Sequence, residues 1–319
     1  MNESCSSQWH TGQVTVFCVM ALLAIGLSLL LKEPTLDVQL AALLLPVALL
    51  GIPHGALDYG LGQRIARPHL GSYWPMVFLP LYLLIAAVVV VLWGLMPAIS
   101  LAAFLLISWF HFGVSDTGCQ EQSPSLRWLE ILARGSVVIS FPAAFYHHEV
   151  ALLFGYLTPS EHAVKLAAVC AWFAPLAATA LLACVAKHMM IATVQHNKAH
   201  WLTVLELMLL ALLFALAPPL LAFGVYFCAL HSLRQLLLST SLQSSSQSVL
   251  GGLFRQTAPV TMATLCFALI AYMMMGSMVL SEKLTQIIFI GLAALTVPHM
   301  MLTTVDARLS SSLHTKATQ

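Results

Sequence analysis

Four histidines of this chain, His54, His111, His231 and His299, lie within or at the ends of long apolar runs. An imidazole in such a place is a metal ligand, a proton carrier or a hydrogen-bonded tie between helices, because hydrocarbon leaves a lone polar group unsatisfied. Neutral imidazole suits iron, copper or zinc. In Gly51-Ile52-Pro53-His54-Gly55-Ala56-Leu57-Asp58 the Pro and Gly beside the histidine break a membrane helix, which is tolerated where the freed backbone is buried or lines a cavity. Asp58 follows His54 at i+4, and Asp116 follows His111 at i+5. Each is placed either to accept the second imidazole N–H of its neighbouring histidine or to end a helix at the membrane surface. In Tyr226-Phe227-Cys228-Ala229-Leu230-His231-Ser232-Leu233-Arg234-Gln235, helical spacing puts Gln235 on the face of His231. A histidine there would complete a chelate; an amide oxygen is a poorer donor for iron. Trp109, Phe110, Phe112, Phe223, Tyr226 and Phe227 flank these positions and either wall an apolar tunnel or pack as ordinary core.

The elements that must position these residues are membrane helices. Crossing about 30 Å of hydrocarbon takes roughly 17 to 25 residues, and the sequence predicts ten such spans, at about 14–31, 36–53, 75–95, 97–115, 127–146, 162–185, 201–217, 219–240, 259–280 and 285–303. Several are expected to begin at a proline, Pro75, Pro97, Pro219 or Pro259, a residue suited to the first helical turn. The segment 239–256, rich in Ser, Gln and Gly, reads as a flexible connector. No long repeat and no second domain is visible, so residues 1–319 read as a single membrane domain of all-α class. The first apolar run has no Lys or Arg before it and is expected to be a retained helix rather than a signal peptide.

With ten spans, Arg64, Arg67, Arg127, Lys187, Lys198, Arg255, Arg308 and Lys316 fall on the side of the termini, against Lys32, Lys165 and Lys283 opposite. That asymmetry predicts cytoplasmic N- and C-termini. The four histidines then lie on helices that run the same way, about 12 to 18 residues from the start of each, or roughly 18 to 27 Å deep. Imidazoles at one depth of a bundle can converge on one metal ion. Arg134 and Arg234 lie inside spans, where a charge must pair or face a polar cavity, and Glu130 and Glu206 are candidate partners.

Composition agrees. The chain is 60% hydrophobic and 8% charged, against roughly 25% charged for soluble domains, and a net charge of +1 excludes an electrostatic nucleic-acid surface. Its partners should be lipid and lipid-soluble molecules. The seven cysteines (Cys5, Cys18, Cys119, Cys170, Cys184, Cys228 and Cys266) are dispersed and read as small core hydrophobes.

GIPHGALD at 51–58, WFHFGVSD at 109–116, ARG at 133–135, Pro142 with His147 and His148, PPLLAFGVYFCALHSLR at 218–234 and VPHM at 297–300 together resemble the Brp/Blh (bacteriorhodopsin-related) family of membrane-bound β-carotene 15,15′-dioxygenases. The resemblance implies a multi-pass protein of a bacterial or archaeal inner membrane that uses Fe(II) and O2 to cleave β-carotene centrally into two retinal molecules, with His54, His111 and His231 as iron ligands. It also implies a retinal-binding rhodopsin as a consumer of the product. The family's fourth ligand position corresponds to Gln235 here, a departure with two consequences to separate. Either the Gln235 amide oxygen, a water or His299 is the fourth donor, or the site is weakened and the activity altered.

Two other readings compete. A di-iron hydroxylase would use His188, His196 and His200, but the sequence has no H-x-x-H-H box. A transporter or proton-relay protein would use broken helices with intramembrane His, Arg and Glu206.

Overall fold

A computed structural model describes the backbone of residues 3–30, 34–117, 123–241 and 249–317, and the side chains of 11–30, 34–117, 123–238 and 257–309. Cys5, Cys119, Lys32, Lys316 and Arg255, named from the sequence, have side chains outside these limits.

The described chain is helical without a strand. After α1 (Glu3–Leu30) comes α2 (Leu36–Pro46), which passes through a π-helical turn at Val47–Gly51 into α3 (Ile52–Ala56). Then follow α4 (Asp58–Leu70), α5 (Trp74–Leu95), α6 (Pro97–Asp116), α7 (Pro124–Phe145), α8 (His147–Gly155), α9 (Ser160–Trp172), α10 (Ala174–Val194) and α11 (Lys198–Leu216). A short α12 (Pro219–Val225) runs through a second π-helical segment, Tyr226–Ser232, into α13 (Leu233–Ser241), followed by α14 (Val249–Met274) and α15 (Leu280–Ala317).

Nine stretches of the described residues are long and apolar enough to cross a membrane. The difference from ten arises in Leu36–Leu95, where the expected spans 36–53 and 75–95 run together as 60 continuous residues. Only a tight turn at Gly71–Tyr73, opened by the positive φ of Gly71, separates α4 from α5. Pro75, Pro97 and Pro219 stand in first turns as expected. Pro259 does not, since it lies inside the helix Val249–Met274; of the expected connector 239–256, residues 239–241 and 249–256 are helical and 242–248 lie outside the described residues.

α6 and α7 show how a polytopic bundle closes without a hydrophobic force between helices. A Cβ on Gly135 would lie 2.1 Å from the carbonyl oxygen of Trp109, so the two backbones touch only because that side chain is absent. The Trp109 indole N–H donates to Ser136 Oγ across the same seam at 2.9 Å.

Below it lies a buried ladder of charge. Glu130 Oε1 accepts from Arg134 at 2.8 Å, Arg134 donates to Glu206, Glu206 accepts from Arg234, and Arg234 donates to the Asp116 carbonyl at 2.7 Å and to the Gln13 side chain. All four ionised side chains, two acids and two guanidiniums, are buried. The ladder is electrically neutral as a set, the condition under which low-dielectric burial is tolerable. Arg134 and Arg234 are thereby accounted for as a structural frame behind the second π segment.

Candidate metal centre

Four elements bring the four histidines into one ring. His54 arrives on α3 just past the first π turn, His111 on α6, His231 within the second π segment and His299 on α15. Ring centroids are 5.2 Å apart for His54–His231 and His54–His299, 5.0 Å for His111–His231 and 5.2 Å for His111–His299. His54, His111 and His231 each offer a ligating atom within 4.8 Å of the other two. π turns add a residue to a helix and recur at functional sites; here they flank His54 and contain His231. Gly51, in the first of them, leaves room for Phe227, whose Cε1 would lie 2.6 Å from an added Cβ.

The two aspartates hold imidazoles, but not those nearest in sequence. Asp116 Oδ1 meets His231 Nδ1 at 3.0 Å and Asp58 Oδ1 meets His299 Nδ1 at 2.7 Å. Asp58 opens α4 directly after Leu57, and its carboxylate turns to His299 on α15 rather than back to His54. At 100° per residue, i+5 points Asp116 about 140° away from His111. Each carboxylate also accepts a phenolic hydroxyl, Asp116 from Tyr226 at 2.6 Å and Asp58 from Tyr82 at 2.7 Å. His111 Nδ1 instead faces Met300 Sδ at 2.9 Å and Ser115 Oγ at 3.3 Å. Tyr82, Ser115 and Met300 were not singled out in the sequence; a lone phenol in an apolar run was the available signal for the first.

Gln235 lies on α13, three residues past the second π segment. Gln235 Nε2 donates to the Ser115 carbonyl at 2.8 Å, tying α13 to α6.

The donor set fits a metal dication. His54 Nδ1 and His231 Nε2 are buried without a hydrogen-bond partner. Where Nδ1 is engaged, at His111, His231 and His299, Nε2 is the nitrogen left to face inward. Two carboxylates stand directly behind the imidazoles, where they would complement a dication held on the far ring nitrogens.

An apolar cavity ends at this ring. Its polar lining side chains are the four histidines, Ser108 and Thr296; the rest are apolar. Of the aromatic residues expected beside a tunnel, Phe112, Phe223 and Phe227 line it. Trp109 is turned toward α7, Phe110 is exposed on the outer side of α6, and Tyr226 is buried behind Phe112 with its hydroxyl on Asp116. His147 and His148 are exposed at the start of α8. His188 and His200 form a separate buried pair, Nδ1 to Nδ1 at 2.8 Å, with His188 Nε2 3.5 Å from Glu130; His196 is exposed. Cys18, Cys170, Cys184 and Cys228 are buried and free.

Fold and site together define a polytopic helix bundle whose intramembrane histidines converge at the end of an apolar cavity. A profile of the β-carotene 15,15′-dioxygenase family matches residues 45–305, and the chain belongs to that family. It is similar, at 35% identity over 269 residues covering 80% of this chain and 90% of the relative, to the β-carotene 15,15′-dioxygenase of uncultured marine bacterium 66A03. It is also similar, at 25% identity covering 86% of each chain, to the probable β-carotene 15,15′-dioxygenase Blh of Halobacterium salinarum. No solved structure matches.

Proposed function

We propose that this chain is an iron(II)-dependent β-carotene 15,15′-dioxygenase in which His54, His111, His231 and His299 hold the metal. The observation that carries this reading is the four-imidazole ring at the end of an apolar cavity, with two of its buried nitrogens unpartnered. His299 supplies the fourth imidazole that Gln235 does not, and Gln235 acts instead as a tie beneath His111. A ferrous ion bound there supplies the activation of O2.

The protein's own work is placement. The cavity excludes water and holds a rigid polyene so that one C=C lies beside the imidazoles. Asp116 and Asp58 keep the Nδ1 proton on His231 and His299, fixing tautomer and ring angle. Phe227 stacks on His231 with centroids 5.8 Å apart and planes at 17°, bracing the ring from the cavity side. Cleaving a C=C with O2 puts one oxygen atom on each carbon and gives two aldehydes, with no net proton or electron drawn from the protein. A wall without a general acid or base other than the histidines suits that balance.

In this reading β-carotene, O2 and lipid are the partners, and a retinal-binding rhodopsin is a consumer of product. Residues 1–319 form one multi-pass domain of a bacterial or archaeal inner membrane, with both termini cytoplasmic as the eight-to-three distribution of basic residues supports. The test is extraction of pigments from bacteria that accumulate β-carotene and express this chain. Retinal is expected from the unmodified chain and not from His54→Ala, His111→Ala or His231→Ala, with near one iron per purified chain. An alanine variant that keeps both iron and retinal production would remove that histidine from the site.

A further inference from the structure

The cavity is one-sided. On α6 it is lined from Leu101 to His111 and Phe112, on α15 from Phe289 to His299, and on α12 with the second π segment from Pro219 to His231. The histidine thus stands ten, ten and twelve residues from the far wall on the three elements, or about 15 to 18 Å at the helical rise. A symmetrical C40 polyene is a rod about as long as the hydrocarbon is thick, roughly 30 Å, so one half measures about 15 Å. The far wall is firm. Leu101, Leu157, Trp93 and Ala293 are buried together, the Trp93 indole donates to the Leu157 carbonyl at 3.0 Å, and Gln286 donates to the neighbouring Tyr156 carbonyl at 2.8 Å. An aromatic row joins wall to ring: Phe289 to Phe223 at 5.7 Å, Phe223 to Phe227 at 5.3 Å and 11°, and Phe227 to His231.

We propose that this far wall, with Leu101 and Phe289 as its decisive side chains, is an end-group stop that selects the bond to be cleaved by fixing its distance from the imidazoles. The inference rests on the carotenoid-oxygenase reading and adds to it which residues choose the position. The end ring seats against Leu101 and Phe289, the conjugated chain lies along the aromatic row, and the fifteenth carbon reaches the histidines. Raising the stop brings a bond nearer the ring to the imidazoles, and lowering it brings a more distant one.

A symmetrical substrate cannot report the direction of such a shift, so the test uses a C30 apocarotenal with a ring at one end only. Purified, iron-loaded unmodified chain is expected to give retinal as the ring-bearing product. Leu101→Trp is expected to give a ring-bearing product shorter than C20, and Phe289→Ala one longer than C20, each by at least one conjugated double bond. Chain elution in detergent and iron content establish that the variants are assembled. Assembled, iron-replete variants that both give retinal alone, at any rate, or no product at all, would overturn the stop while leaving the oxygenase reading intact. Failure of the unmodified chain to cleave either this substrate or β-carotene would overturn the oxygenase reading, and the stop with it.

Discussion

Replacing Asp116 or Asp58 by Asn separates the two halves of the proposed ligand set. Each carboxylate accepts the Nδ1 proton of one imidazole, His231 at 3.0 Å and His299 at 2.7 Å, and each is buried and bonded to a tyrosine that would also hold an amide. Asn keeps the shape and removes the charge. Loss of such an outer partner lowers metal affinity about 10- to 100-fold, or about 1.4 to 2.7 kcal/mol. If His299 is a ligand equal to His231, Asp58→Asn weakens binding within that range, as Asp116→Asn does. If His299 only packs beside the ring, Asp58→Asn leaves affinity unchanged. The assay is competition for a dication against a calibrated chelator in detergent solution, with Tm recorded alongside so that misfolding is not read as weak binding. Unchanged affinity in both variants, with Tm preserved, would refute the argument that the carboxylates balance a bound dication.

Three further outcomes follow from the packing. Glu206→Leu leaves two buried guanidiniums short of a partner and is expected to destabilise the protein by about 3 to 5 kcal/mol; a loss under about 1 kcal/mol in detergent unfolding would mean that the ladder is solvated or otherwise satisfied. Gly135→Leu forces α6 and α7 apart at the Trp109 carbonyl and should cost about 1 to 3 kcal/mol by overpacking, read as a lower unfolding midpoint, whereas an unshifted midpoint would contradict backbone contact at that seam. Gln235→Ala removes one hydrogen bond to the Ser115 carbonyl and should cost about 1 kcal/mol while retaining bound iron; loss of the metal in this variant would place the amide among the ligands.

The histidines were legible because an imidazole in an apolar run is conspicuous, and counting residues from each span start placed all four at one depth. Their partners were not. Asp58 and Asp116 stood out as residues, but both readings open to them, an acceptor for the neighbouring imidazole or a helix end at the membrane surface, miss the partner each finds on another helix. The bond from Gln235 to the Ser115 carbonyl joins two different helices, and the sequence carries no signature for it. Arg134 with Glu130 is an i,i+4 pair and could be read directly, whereas Arg234 with Glu206 joins two different helices and could not. Among the aromatic residues, spacing could not tell Phe227, which faces the cavity, from Tyr226 beside it, which faces Asp116.

The crossed pairing of carboxylates and imidazoles also orders events in time. Residues 54 and 299 belong to the second and last apolar stretches, and Asp58 waits for a histidine that is made near the end of the chain. Until α15 enters the membrane, the ring lacks one of its four corners and the cavity lacks the wall that carries Phe289, Leu292 and Leu295. A nascent chain therefore presents at most three of the four imidazoles, His54, His111 and His231, before the surrounding shield is built. Completion of the ring therefore reports that the bundle is finished.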